Sequence, residues 1–476
     1  MVEFTSLNLE GKLAGVAIYK ALYQQIRNKI LSGDLCPGAR LPSSRSLAAE
    51  IGCSRGSIER TYELLTAEGF VTAAGAAGTR VNPDLDQKLI AASLGVASMA
   101  TQPNPSLHSF ESNYRTLQLG LPALDAFPRK LWNRMINRHA RSTSVDQLGS
   151  CNPFGYQPLR QAIANYLAIS RGVVCEPRQI FITSGFQGAL TMIAQTLGQP
   201  GEQVWCEDPG YFNARGCFEQ LGFIINPVPV DQDGMCVNEG IKTAPAAKFA
   251  IVTPTHQLPL GVTLSLERRV ELLHWAKTNK SWIIEDDYDS EFRYGEKPLP
   301  ALKSLDAYNR VIYTGTFSKV LIPSLRLGYI AVPTELCPCF EKNFSSLWSV
   351  GSLLDQKVVT DFMVNGHFSI HIKKMRKLYG ERRAALVNAL KEKLSGELLI
   401  TLQAGGMHLI AELLNTVDEK ILMQKIREHG LDPYLISDFL ITAKKPPSLL
   451  LSFTNVTVTS AESVVEKLAQ AIYESK

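Results

Sequence analysis

Between residues 180 and 331, short apolar runs alternate with longer stretches of helical period, and this alternation restricts the fold more than any other feature. Phe181-Ile182-Thr183, Val204-Trp205-Cys206, Phe249 to Val252, Trp282-Ile283-Ile284, Val311-Ile312-Tyr313 and Tyr329-Ile330-Ala331 have the length and composition of strands. Runs so uniformly apolar belong to a sheet covered on both faces. Gln187 to Leu197 and Leu266 to Thr278 are helical stretches lying between them. Strand and helix in turn call for crossover connections, hence an α/β domain on a mainly parallel sheet. Ligands of such sheets bind beyond the carboxyl ends of the strands. The residues that close each run are therefore the candidates for chemistry.

Three of these closures stand out. Trp282-Ile283-Ile284 ends in Glu285-Asp286-Asp287-Tyr288. A buried strand finishing in three acids is costly unless a cation or strong donors meet them; a metal ion is the competing answer to a cationic ligand. Ser184-Gly185-Phe186-Gln187 follows the first run and opens a helix. Such a start suits an anion like phosphate, and is equally an ordinary helix cap. Thr316-Phe317-Ser318-Lys319, with Pro323 and Arg326 beyond, sets hydroxyls and an arginine around one lysine. That set suits a phosphate-bearing aldehyde held as a Schiff base; alone, Ser-Lys would read as an exposed loop.

In this order and spacing the pieces resemble the fold-type I, aspartate-aminotransferase-like pyridoxal phosphate proteins, over about residues 115 to 474. The resemblance implies pyridoxal 5'-phosphate as cofactor. It gives Lys319 the Schiff base and Asp286 the pairing with the pyridine nitrogen. Tyr211 would stack on the ring and Tyr288 reach its hydroxyl. Gly185, Phe186 through its backbone, Gln187, Thr316, Ser318 and Arg326 would form the phosphate cup. Asn152 to Arg160 and Arg171-Gly172-Val173 also fit the pattern.

Ahead of this region lies a different pattern. From Gly11 to Asn82 there are nine basic and five acidic residues, an excess equal to the +4 of the whole chain. Tyr19, Leu22, Tyr23, Ile26 and Ile30 recur at helical spacing. Ser44 is placed to cap a short helix carrying Leu47, Ala48 and Ile51. Gly52 turns the chain, and Ser54 caps a second helix with Ile58, Tyr62 and Leu65 on one face. Two short helices across a glycine turn form a helix-turn-helix. Gly69-Phe70-Val71, Gly75 to Gly78 and Thr79-Arg80-Val81 read as a two-stranded wing.

This region closely resembles the winged helix-turn-helix of GntR-type regulators, through Pro37-Gly38-Ala39-Arg40-Leu41-Pro42-Ser43-Ser44-Arg45, Leu47-Ala48, Gly52-Cys53-Ser54-Arg55, Tyr62, Leu65 and Glu68-Gly69. The resemblance implies DNA contacts from Arg40, Ser44, Arg45, Ser54, Arg55 and Ser57. Ala76-Ala77 depart from the small polar or basic residues common in such wings. A winged helix followed by "EDDYDSEFRY" and "TFSKVLIPSLRLGY" is the arrangement of MocR-type regulators. That family implies binding to double-stranded DNA, a head-to-tail homodimer, and sensing of the cofactor or of an amine that forms an aldimine with it.

The chain departs from working aminotransferases where substrate is held. Leu450, in Leu450-Leu451-Ser452-Phe453, stands where an arginine usually receives the substrate carboxylate, and leucine cannot replace a bidentate guanidinium. Leu258, in Thr255-His256-Gln257-Leu258-Pro259-Leu260-Gly261, replaces an asparagine. Ser150 occupies the place of a tyrosine. Arg215 and His256 are the candidates for a replacement effector contact. Three functions follow: a regulator with a pyridoxal phosphate effector domain, an aminotransferase with an accessory DNA-binding module, or a repressor whose second domain has lost its cofactor. Intact Lys319, Asp286 and Arg326 weigh against the last.

The expected division is a winged helix-turn-helix at 11–82, a Pro-, Ser- and Ala-containing linker at 83–110, and an effector domain at 111–474 with a smaller α+β subdomain from about 375. At 476 residues the chain has room for about three domains. Its 45% hydrophobic and 20% charged content argues against wholesale disorder. The longest uncharged, mostly apolar stretch, Leu89 to Ala100, is too short to span a bilayer, and no secretory leader opens the sequence. Nine cysteines without a CxxC pair fit reduced thiols in a cytoplasmic protein. His367 and His371 lack a third ligand, so no metal centre is expected. Cys53 is expected to be a small packing residue, and Arg376, Lys377, Arg382 and Arg383 a solvated helix face.

Overall fold

The computed structural model describes residues 17–73, 78–85, 115–149, 152–294, 299–347 and 351–476. The chain forms two compact units, Met1–Ser112 and Asn113–Lys476. Ala76-Ala77, Ser150 and linker residues 86–110, including Leu89-Ile90, lie outside the described residues.

In the first unit, helices α1 (Ile18–Leu31), α2 (Ser44–Ile51) and α3 (Arg55–Ala67) precede an antiparallel pair, β1 (Val71–Ala73) and β2 (Thr79–Val81). Leu22, Ile26 and Ile30 of α1 meet Leu47 of α2 and Ile58, Tyr62 and Leu65 of α3 in one core, closed by Val71 and Val81. Gly52 ends α2 at φ 73°, a left-handed conformation that glycine adopts without steric cost. Ser54 caps α3 by accepting from the Ser57 amide at 3.2 Å. The cap of α2 is Ser43 rather than Ser44: its hydroxyl accepts from the Ser46 amide at 3.1 Å. Two adjacent serines offered the cap equally, and α2 begins one residue earlier than the apolar spacing suggested.

The second unit is built on an eight-stranded sheet. Its strands are β3 (Ile180–Thr183), β4 (Gln203–Asp208), β5 (Ile224–Asp231), β6 (Gly234–Met235), β7 (Phe249–Val252), β8 (Trp282–Asp287), β9 (Val311–Thr316) and β10 (Gly328–Ala331). Their order is β3-β10-β9-β8-β7-β4-β5-β6. The pairings β5/β4, β4/β7, β7/β8 and β8/β9 are parallel, and β10 runs antiparallel to both β9 and β3. All six apolar runs singled out above are strands of this sheet. Most of its residues are buried from both sides, as uniformly apolar runs require.

A second, antiparallel sheet comprises β11 (Leu398–Thr401), β12 (His408–Leu413), β13 (Tyr434–Leu435) and β14 (Ser448–Ser452), in the order β11-β12-β14-β13. Residue 375, where a small subdomain was expected to begin, falls inside the 28-residue helix His367–Leu394. Of the basic run on that helix, Lys377 is solvated as expected, but the three arginines are not. Arg382 is buried against the Asp125 carboxylate and the Thr454 carbonyl, and Arg376 donates twice to the Glu291 carbonyl. Arg383 donates to the Gln403 carbonyl and lies 4.2 Å from the Tyr294 ring centroid. Guanidinium groups can be buried where carbonyls and carboxylates receive them, which a count of charges does not reveal. His371, paired in the sequence with His367, is buried and lies 3.0 Å from the Val320 carbonyl. No helix among the described residues is long and apolar enough to cross a membrane.

Candidate functional site

The ends of β3, β8 and β9 and the turns after them surround a cavity of about 320 Å³. Every residue expected to hold a cofactor lines it: Gly185, Phe186, Gln187, Tyr211, Asp286, Tyr288, Thr316, Ser318, Lys319 and Arg326. Ser184 and Gly185 stand at the start of the helix Gly185–Leu197, whose first amides lack partners within the helix.

Strand β8 accommodates its three acids by alternation. Glu285 accepts from the amides of Leu302 and Lys303 at 2.7 and 2.8 Å, and burial pushes its carboxyl up to about 7. Asp287 receives Arg171 Nε at 2.6 Å and the Tyr313 hydroxyl. Asp286 points to the other face, as successive residues of a strand must. Its carboxylate lines the cavity and makes no hydrogen bond to any described residue. Burial, followed by the charges of Asp287 and Asp289, drives its carboxyl well above the ordinary carboxylate range. The three acids diverge, and no cluster of three or more potential metal ligands occurs among the described residues.

Opposite charge comes from Lys319. Its Nζ donates to the Gly120 carbonyl at 3.0 Å, and burial holds its pKa below the ordinary lysine value against the pull of Asp286 and Asp289. Gly120 has φ 74°, which favours glycine, and a Cβ there would stand 2.1 Å from Lys319 Nζ, so the amine would have to move aside. The Arg326 guanidinium has no hydrogen-bond or ion-pair partner among the described residues, and the residue holds a left-handed φ of 46°. A non-glycine residue in that conformation costs on the order of 1 kcal/mol or more. An unpaired acid, a buried amine and an unpaired guanidinium thus share one space.

Neither candidate effector contact lines this cavity. His256 is buried behind Tyr288, with Nδ1 3.0 Å from the Tyr288 hydroxyl and 3.1 Å from Asp289 Oδ2. Arg215 faces a separate, smaller cavity with Cys206 and Glu207, and donates to the Leu440 carbonyl at 3.4 Å. Leu258 does line the main cavity. Leu450 is fully buried just behind it, packed with Ile410 and Phe439 and against Tyr434.

In the first unit, Arg40, Arg45, Ser54 and Arg55 are exposed, and Ser44 and Ser57 are half-buried. Arg40 and Arg45 have no ion-pair partner among the described residues. Arg55 pairs with Glu59 one turn on at 2.8 Å, both side chains being largely exposed. Such a pair contributes little and yields readily to a phosphate. Arg40 also pairs across the backbone with Arg80 of β2, which joins the approach to α2 to the wing.

Residues 18–81 match the family of bacterial regulatory proteins of the gntR type, and residues 127–472 match aminotransferase class I and II. The probable rhizopine catabolism regulatory protein MocR of Rhizobium meliloti is 36% identical over 435 residues, 88% of this chain and 86% of that one. The chain is a MocR-type regulator. The pyridoxine biosynthesis transcriptional regulator PdxR of Corynebacterium glutamicum is 31% identical, with 88% of each chain covered. Among solved structures, Pyrococcus horikoshii kynurenine aminotransferase in complex with PMP aligns at TM-score 0.68 and 29% identity, over 76% of this chain and 92% of that one.

Several cavity residues of this MocR-type regulator escaped the sequence reading: Leu119, Gly120, Phe212, Met407, His408, Tyr434 and Phe439. The Leu119-Gly120-Leu121-Pro122 stretch carried a usable signal, a glycine-proline punctuation inside an apolar segment. Phe212 opens the helix Phe212–Gln220 after β4, while Met407, His408, Tyr434 and Phe439 come from the second sheet and the turns beside it.

Proposed function

We propose that the chain is a DNA-binding transcription regulator whose second unit holds pyridoxal 5'-phosphate and reads an amine there. The observation carrying this reading is the joining of a gntR-type helix-turn-helix to a cavity in which a carboxylate and a guanidinium have no partner among the described residues beside a buried lysine. The residues fit the cofactor. Asp286 is an unpartnered buried carboxylate suited to a protonated ring nitrogen. Arg326, Thr316, Ser318 and the helix start at Gly185 offer donors for a phosphate. Tyr211 and Phe186, with ring centroids 6.3 Å apart, offer apolar faces to a ring.

When bound, pyridoxal phosphate supplies an aldehyde that condenses with amines and a ring that withdraws electrons. Lys319 supplies the protein's own amine. Its lowered pKa leaves more of Nζ unprotonated, and so nucleophilic, than an exposed lysine at the same pH. Tyr288, tied to His256, presents its hydroxyl to the cavity. Asp286 keeps a negative charge once a cation meets it.

Gly120→Ala is expected to crowd Lys319 Nζ and lower the fraction of protein to which borohydride fixes the cofactor by about tenfold or more. Unchanged fixation would show that the Gly120 approach is unimportant.

On DNA, Arg45 and Arg55 supply cations at the helix-turn-helix, and the protein acts as a head-to-tail homodimer on repeated half-sites in the cytoplasm. The test is binding to the DNA flanking its own coding sequence, with and without pyridoxal phosphate. Arg45→Ala should weaken binding and lower the salt slope by about 1, leaving cofactor absorption unchanged. Equal binding by Arg45→Ala, Arg55→Ala and the parent would refute this contact surface. Efficient amino-group transfer from common amino acids to a keto acid would refute the sensor reading.

A further inference from the structure

We propose that the amine read by this cavity is an aromatic or other apolar primary amine without a carboxylate. This inference rests on the pyridoxal phosphate reading above and concerns what remains of the cavity beyond the cofactor.

Among the described residues lining the cavity, the basic groups are Lys319, Arg326 and His408. In the cofactor reading, Lys319 serves the aldehyde end and Arg326 the phosphate end. His408 Nε2 lies 3.0 Å from the Pro259 carbonyl, and burial pushes its pKa down to about 4, so it is a neutral imidazole near pH 7. Among the described residues, no cation of the cavity is left to receive a ligand carboxylate. Placing an ionised carboxylate there would strip its water without providing a partner.

The wall itself points the same way. Phe212, Tyr434 and Phe439 form an aromatic triangle with ring centroids 5.3, 5.7 and 6.0 Å apart. Leu119 and Leu258 extend this surface, and all five residues line the cavity. Behind them Leu450 of β14 is flanked in register by Ile410 of β12 and Tyr434 of β13, and is fully buried. The surface rewards an aryl or alkyl group through burial and edge-to-face ring contact. The amine nitrogen would meet the cofactor, and the tail would lie against the triangle.

The experiment uses full-length protein loaded with pyridoxal phosphate and freed of excess cofactor by gel filtration. It is titrated with 2-phenylethylamine, L-phenylalanine and ethylamine, following cofactor absorption and binding heat. 2-Phenylethylamine should bind at least about 30-fold more tightly than L-phenylalanine, since the two differ only by the carboxylate. Phe439→Ala should weaken 2-phenylethylamine by about tenfold and leave ethylamine unchanged. Leu450→Arg should reverse the preference toward L-phenylalanine; if that variant fails to fold, the wild-type comparison and Phe439→Ala still decide. Equal or tighter binding of L-phenylalanine, or no binding of 2-phenylethylamine by loaded protein, overturns the inference and leaves the cofactor reading standing. Protein that takes up no pyridoxal phosphate overturns both.

Discussion

Lys319→Ala is expected to abolish borohydride-stable attachment of pyridoxal phosphate and the visible absorption that accompanies it. The effect should be all or none, because Lys319 is the single lysine lining the cavity among the described residues. Reversible binding through Asp286 and Arg326 should survive more weakly, as their contacts are independent of the amine. Spectroscopy after gel filtration, with and without borohydride, separates the two. A variant that still fixes the cofactor would place the reactive amine elsewhere. Because burial lowers the Lys319 pKa, capture by the parent should rise with pH and level off before an exposed lysine would.

The second large effect is expected at Arg171, which does not itself line the cavity. Arg171 gives Nε to Asp287 at 2.6 Å, Nη1 to the Leu299 carbonyl at 2.7 Å and Nη2 to Thr255 Oγ1 at 2.9 Å. Both charged side chains of the pair are 3% exposed or less. Arg171→Leu leaves Asp287 buried beside Glu285 and Asp286 without its cation. Breaking one side of such a pair typically costs about 3–5 kcal/mol, much of a domain's stability. Denaturant titration should show a lowered midpoint, and cofactor retention should fall with it because Asp286 adjoins Asp287 on β8. Adding Asp287→Asn should recover part of the loss by removing the stranded charge. If Arg171→Leu is as stable as the parent, the pair does not hold the strand end.

Much of this arrangement was legible before any coordinates. Uniformly apolar runs mark the six strands near the cavity, since covering both faces leaves no room for polar residues. The residues that line the cavity could be singled out because most of them follow a strand end or open a helix. Strand β5 was not legible: Pro227 and Pro229 interrupt it, and proline normally argues against a strand one position in from a sheet edge. Arg376, Arg382 and Arg383 read as solvated because their carbonyl and carboxylate partners lie far away in sequence. His256 and Arg215 were sensible candidates by chemistry, yet which way each side chain turns depends on Tyr288, Asp289 and Leu440. The aromatic triangle was invisible for the same reason, as Phe212 and Phe439 meet only when two sheets close together.

The Lys319–Gly120 hydrogen bond has a further consequence for the wall of the pocket. Gly120 lies close in sequence to Ser112, the last residue of the first unit. The stretch around it is clamped by the Thr116–Leu431 bridge, by the Ser452 amide on the Leu117 carbonyl and by Tyr379 on the Ala123 amide. Any partner that draws Nζ toward itself must take it from the Gly120 carbonyl. The lysine is therefore moored to a stretch that is itself pinned to the second sheet and to Tyr379, and whatever casts off that mooring loosens one wall of the pocket.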